Sequence, residues 1–358
     1  MRSMRSMVLL VVVLAAIACK KKEKNSTMDL VGQLFQLACV MPPYTPSIKT
    51  ENSIAVLEEI KINGVMQSIL VRGENVNNPV LLVLHGGPGD SIVGSARTLF
   101  SALESKYVVV AWDQRGGGKS EDLGVELSQL KISTFVNDVI SMSEYLRNRF
   151  SRNRIFLLGH SWGTLIGVLA VKQHPEYYSA FVGTGQMVNM LRGDKLGLDY
   201  ALKHARDKSN SKAISELESI GEPPYTLDEL LVQRKWVSEY GGNTHGSMIS
   251  TKPGGEMNLC EYLATSNNGL NLAKAMIDEI YGIDLLSRVT RLDVPLFFLQ
   301  GRYDMVSPSV LAEEFHKGLA APQGKTFHYL ENSAHMTLYE ENQLFNDYMI
   351  KTVLPAGL

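Results

Sequence analysis

Residues 155–167 read IFLLGHSWGTLIG, four apolar residues, then a Gly-His-Ser-Trp-Gly break, then a second apolar run. No strand or helix tolerates that break in its interior, because each glycine there costs roughly 0.5–1 kcal/mol. The stretch is consistent only if a buried strand ends near Leu158 and a helix starts just after Ser161. The turn between them is so tight that a Cβ at Gly159 or Gly163 would clash, and it lifts the serine above the end of a sheet. One short segment thus asks for a strand covered on both faces and followed at once by a helix, the repeating unit of an α/β protein.

The rest of the chain keeps that rhythm. Nearly continuous apolar runs at Gln67–Val71, Val80–Leu84, Tyr107–Ala111, Ile155–Leu158, Phe181–Gly183, Leu296–Leu299 and Thr326–Leu330 predict strands. Helical periodicity separates them, with apolar residues at 136, 139, 140, 142 and 146 in Val136–Phe150 and a similar pattern in Val310–Leu319. The expected fold class is α/β, a mostly parallel, doubly wound sheet. From 187 to 285 the strands give way to polar helical stretches and breaks such as GEPPYT and YGGNTHG. That region predicts an inserted helical cap, with the sheet domain in two parts, 48–186 and 286–358.

The first 27 residues differ in kind. Arg2 and Arg5 precede an apolar run from Met7 to Ala18, too short to span a membrane but the right length for a signal-peptide core. Ala16-Ile17-Ala18 offers a small-x-small cleavage pattern, and with Cys19 it resembles a lipoprotein signal in which that cysteine is lipidated. Lys20, Lys21, Lys22 and Lys24 follow directly, where positive charge opposes translocation. The expectation is an exported or membrane-attached protein, or a cytoplasmic one if the segment is no functional signal. Residues 28–47 read as a linker or a membrane-proximal helix closed by Pro42, Pro43 and Pro46.

Composition excludes several classes. With 35 basic against 37 acidic residues, no surface charge suggests nucleic acid as a partner. Cys19, Cys39 and Cys260 form no C-x-x-C pair, so neither a structural zinc nor any other metal is implied, and whether Cys39 and Cys260 pair is left open. The chemistry described next requires no organic cofactor.

A serine hydroxyl is a weak nucleophile and needs a base, and the base needs an orienting acid. After such a turn they follow in the order Ser, Asp or Glu, His. The strand PLFFLQG delivers Asp304 in GRYDMVSP, and the strand KTFHYLE delivers His335 in NSAHM. Both fall in loops at carboxyl ends of predicted strands, where sites on such sheets lie. Asp293 is the weaker alternative acid because it precedes its strand. LLVLHGGPGDS, at 81–91, is a strand running into an H-G-G loop. The N–H of Gly87, with Gly86 as second choice, would join that of Trp162 in an oxyanion hole. DQRGGGKS, at 113–120, ends like a phosphate-binding loop, but the glycine required at its start is Asp113.

Taken together, HGGPG at 85–89, WDQRGGGKS at 112–120 and GHSWG at 159–163 resemble the proline iminopeptidase group of α/β-hydrolases. The resemblance implies that fold, a triad of Ser161, His335 and Asp304, and structural roles for Asp113 and Arg115. It further implies cap glutamates that hold a substrate's α-ammonium group, one of them in a W-x-x-W-E-G pattern. The closest stretch here is KWVSEYGG, which keeps Trp236, lacks the second Trp and shifts Glu239 by one position. Glu239, then Glu222, are the candidates for an amine, with a solvated helix carboxylate as the plainer reading. The substrates expected are short peptides or amides with N-terminal proline or another small residue. A carboxylesterase or lactonase with the same machinery is the runner-up, and a non-catalytic ligand-binding homologue a third reading.

Overall fold

The computed structural model describes residues 35–246 and 254–358, with backbone alone at 266–268. Among the described residues there are eight strands: β1 (Ile54–Ile62), β2 (Val65–Gly73), β3 (Val80–Leu84), β4 (Val108–Trp112), β5 (Ile155–His160), β6 (Tyr178–Thr184), β7 (Leu296–Gly301) and β8 (Lys325–Leu330). They form one sheet in the order β1-β2-β4-β3-β5-β6-β7-β8. β2 alone runs against the others, being antiparallel to both β1 and β4. From β4 to β8 all pairings are parallel, with Val83 beside Leu158, Leu158 beside Val182 and Val182 beside Phe297.

The continuous apolar runs have a simple cause. Along β3, Val80, Leu82 and Leu84 pack into one core cluster while Leu81 and Val83 pack into another, and β4 and β5 alternate in the same way. A strand buried on both faces has no solvent side to keep polar. Helices α2 (Ile132–Arg149) and α3 (Trp162–Gln173) cover the first face; α1 (Val93–Phe100) covers the second. In α2 the buried residues Phe135, Val136, Val139, Met142 and Leu146 form the stripe expected at helical spacing.

β1 is the element that the apolar runs do not announce. Its residues are mostly partly buried, with Glu59 and Lys61 exposed and only Ile62 fully buried, as suits an edge strand, and it joins β2 through Asn63 at φ 46° and Gly64 at φ 87°. Two residues with positive φ make the turn that matches strand twist, and Asn-Gly is its strongest short signal.

Between β6 and β7 the chain forms helices α4 (Met190–Asp207), α5 (Ser211–Ile220), α6 (Leu227–Glu239) and α7 (Leu259–Tyr281). The first three enclose a small core of their own, with Leu198, Ala201, Leu217, Trp236 and Tyr240. Helix α8 (Ser309–Gly318) lies between β7 and β8, and α9 (Asn342–Tyr348) follows β8 and packs on the α1 face. Ahead of β1, residues 35–40 are helical, and Cys39 is disulfide-bonded to Cys260 in the first turn of α7. Arg72 Nη1 holds the next segment by donating to Thr45 Oγ1 at 2.6 Å and to the Pro46 carbonyl at 2.7 Å. Cys19 and the segment 1–27 lie outside the described residues.

Candidate active site

Ser161 sits between β5 and α3 with φ 52° and ψ −118°. A side chain in that region costs on the order of 1–3 kcal/mol and persists only where its surroundings over-determine it. Here a Cβ at Gly159 would lie 2.6 Å from the Gly163 carbonyl oxygen, and one at Gly163 would lie 2.4 Å from the Leu84 carbonyl oxygen. Strand, turn and helix therefore pack with no room for a side chain at either glycine. The Ser161 amide donates to the Thr184 carbonyl at 3.0 Å, and its carbonyl accepts from the Thr164 amide and hydroxyl at 2.8 and 2.6 Å.

The loop after β3 lies against this turn. A Cβ on Gly86 would approach Ser161 Cβ to 3.3 Å, and Gly87 lines the same cavity as Ser161. His85 fixes the loop from beneath: its Nε2 accepts the Gln114 amide at 3.0 Å, which leaves Nδ1 to donate to the Gly86 carbonyl at 2.7 Å. Trp162 opens α3, so its backbone N–H has no partner within the helix. Its indole is anchored by a bond to Gln114 Oε1 at 3.0 Å and by an edge-on contact with Phe135.

On the other side, His335 Nδ1 donates to Asp304 Oδ2 at 2.9 Å. Asp304 is fully buried in the loop after β7, and its Oδ1 accepts the amides of Val306 and Ser307, each at 2.9 Å. Three donors thus compensate a carboxylate withdrawn from water. His335, in the loop after β8, stacks obliquely on His160 with ring centroids 4.9 Å apart. Burial is the main reason that the His160 ring is pushed down to about 3, with the neighbouring His335 and His85 rings adding to the effect. Asp293 pairs instead with Arg291 near the surface.

The 113–120 loop is tied to the fold at each polar residue. Asp113 accepts the amides of Ile92, Val93 and Lys119 and the Ser91 hydroxyl, although burial, its largest influence, pushes its carboxyl up. Lys119 pairs with Glu261, and Arg115 forms a buried pair with Asp138.

Ser161 opens into a cavity of about 140 Å³ roofed by α4, α6 and α7, whose lining is mostly apolar, with Leu230, Ile277 and Ile280 among it. Neither glutamate considered from the sequence lines it. Glu239 is exposed at the last position of α6, and Glu222 binds Lys195 beside a separate outer depression. A helix that turns Trp236 and Val237 inward presents Glu239 outward. Among the described residues that line the cavity, the charged one is Arg234 on α6. Sequence reading passed over it, since no local pattern marks it.

A parallel-rich sheet with a serine on the turn after its fifth strand, and an Asp–His pair on the loops after its seventh and eighth, defines an α/β-hydrolase. Comparison with known proteins places the chain further. Residues 75–212 match the family described as "Serine aminopeptidase, S33". The chain is 32% identical over 314 residues to the "Probable aminopeptidase YbaC" of Bacillus subtilis (strain 168), covering 83% of this chain and 96% of that one. With the proline iminopeptidase of Heyndrickxia coagulans it shares 24% identity over 79% of this chain and 93% of that one. A solved proline iminopeptidase-related protein of Thermus thermophilus superposes with a TM-score of 0.59 at 18% identity, over 85% of this chain and 99% of that one, a likeness of fold. The chain belongs to the proline iminopeptidase-like enzymes of the α/β-hydrolase superfamily.

Proposed function

We propose that this enzyme hydrolyses small acyl substrates through an acyl-enzyme on Ser161. The observation that carries the reading is the bond from His335 Nδ1 to the buried, doubly held Asp304. That bond fixes the imidazole tautomer and leaves Nε2 as the basic nitrogen. In this mechanism Ser161 Oγ attacks the substrate carbonyl while His335 Nε2 takes its proton. The N–H groups of Gly87 and Trp162 receive the oxyanion, with Gly86 in reserve. The imidazolium then protonates the leaving amine or alcohol, and a water deprotonated by the same nitrogen releases the acid.

The names of the relatives favour an aminopeptidase, with short peptides bearing N-terminal proline or another small residue as substrates. A second reading, a carboxylesterase or lactonase, is favoured by one observation: no acidic side chain is among the described residues that line the cavity. Turnover of a proline arylamide and of a p-nitrophenyl ester, each by the enzyme and by Ser161→Ala, tests both. Serine-dependent amide cleavage that stops when proline's nitrogen is acylated supports the aminopeptidase. Ester turnover alone supports the second reading, and a folded protein that neither turns over substrate nor reacts with a fluorophosphonate overturns the proposal. We also propose export, a reading supported by the Cys39–Cys260 bond, since structural disulfides persist in oxidising compartments.

A further inference from the structure

Arg234 lines a cavity with no other charged side chain among its described lining residues. Its charge is permanent, and its planar fork carries five N–H donors. Among the described residues, one N–H goes to Gln233 Oε1 and one to Asp194 Oδ1, the latter at 2.6 Å, so further donors remain for an occupant of the cavity.

The guanidinium is held in place from behind. Asp194, on α4, is fully buried; beyond Arg234 it accepts the Tyr281 hydroxyl at 2.6 Å, and its backbone carbonyl accepts Gln233 Nε2 at 3.1 Å. Residues from three helices thus converge on Asp194: Gln233 and Arg234 from α6, Tyr281 from α7 and Asp194 itself from α4. The side chain of Arg234 stays 22% exposed while that of Asp194 is 1% exposed. The buried acid neutralises the formal charge and fixes the fork, but only the arginine faces the cavity. An ammonium placed there would meet N–H donors of like sign and find no carboxylate. A carboxylate would meet the remaining N–H donors of a guanidinium already held by Asp194 and Gln233, in an apolar chamber where such bonds are strongest.

We infer that Arg234 is a carboxylate-recognition residue, so that the enzyme selects small substrates bearing a free carboxylate near the scissile carbonyl. The inference rests on Ser161 being the nucleophile only in so far as it concerns turnover. The carboxylate belongs either to the leaving side, as the C-terminus of a dipeptide does, or to the acyl side, as in a hemisuccinate ester.

Two substrate pairs tell these apart in the full-length enzyme: Pro-Ala against Pro-Ala amide, and p-nitrophenyl hemisuccinate against p-nitrophenyl butyrate. The expected result is a kcat/KM at least about tenfold higher for the acid in one pair, falling to within about twofold in the double variant Asp194→Asn/Arg234→Gln. The double variant removes both charges of the pair together and leaves neither unpaired. Arg234→Lys keeps the ion pair but loses the fork, and should retain a reduced preference. Binding of butyrate against butyramide, measured by calorimetry, needs neither turnover nor a variant and should favour the acid by a similar factor. Equal binding of the two by wild type, or an acid preference that survives in the folded double variant, overturns the inference. Loss of all turnover and of fluorophosphonate labelling in wild type would instead count against the Ser161 mechanism, with the butyrate measurement still deciding the role of Arg234.

Discussion

Gly301, the last residue of β7, lies directly under the carbonyl of Ala334: a Cβ there would sit 1.9 Å from that oxygen. The neighbour of Ala334 is His335, so the absence of one methyl group at the end of one strand sets the height of an imidazole carried by the next. Gly301→Ala must displace the backbone of the His335 loop. We expect a loss of about 1–3 kcal/mol in stability, the usual cost of overpacking, and a fall in kcat well beyond what that loss explains. Thermal unfolding and ester turnover at a temperature where the variant is folded separate the two effects.

Asp304→Asn keeps an oxygen for the Val306 and Ser307 amides but can turn an NH₂ group towards His335 Nδ1. The imidazole would then carry its proton on the wrong nitrogen. kcat should fall by roughly 10³–10⁴ with KM little changed, and steady-state kinetics read both.

His160 ties stability to pH. In the folded chain its ring stays neutral down to about 3, while the unfolded chain protonates it near 6.5. Between those values the unfolded state binds more protons, so stability falls as pH drops, by about 1.4 kcal/mol per pH unit once below 6. Urea unfolding at pH 7 and pH 5 should show wild type losing about 2 kcal/mol more than His160→Asn over that span. An equal loss in both proteins would show that the ring is not held neutral.

Opening the Cys39–Cys260 bond, which spans 221 residues of sequence, should cost on the order of 2–5 kcal/mol. Its local effect should be sharper. In Cys39→Ser/Cys260→Ser, brief proteolysis read by mass spectrometry should cut first between residues 35 and 46, with the sheet still intact.

The central strands were legible because burial on both faces writes itself as an unbroken apolar run, as in VLLVL at 80–84. The serine turn was legible because only glycine fits at 159 and 163. β1 was not, since an edge strand half exposed to water mixes Glu58, Glu59 and Lys61 with its apolar residues. Arg234 was invisible for another reason. Which way a cap helix turns depends on packing among Leu198, Trp236 and Tyr240, contacts that join segments far apart in sequence, and no local pattern encodes them. The same packing sends Glu239 to the surface, where the family's motif had suggested an amine site.

The parts assigned to bond cleavage, at Ser161, Asp304 and His335, sit on turns welded to strand ends, whereas much of the chamber above them is furnished by side chains of α4, α6 and α7. Evolution can therefore revise diet without revising chemistry. A mutational library confined to Leu227, Leu230, Ile277 and Ile280 would explore new acyl groups while leaving every strand-end turn untouched.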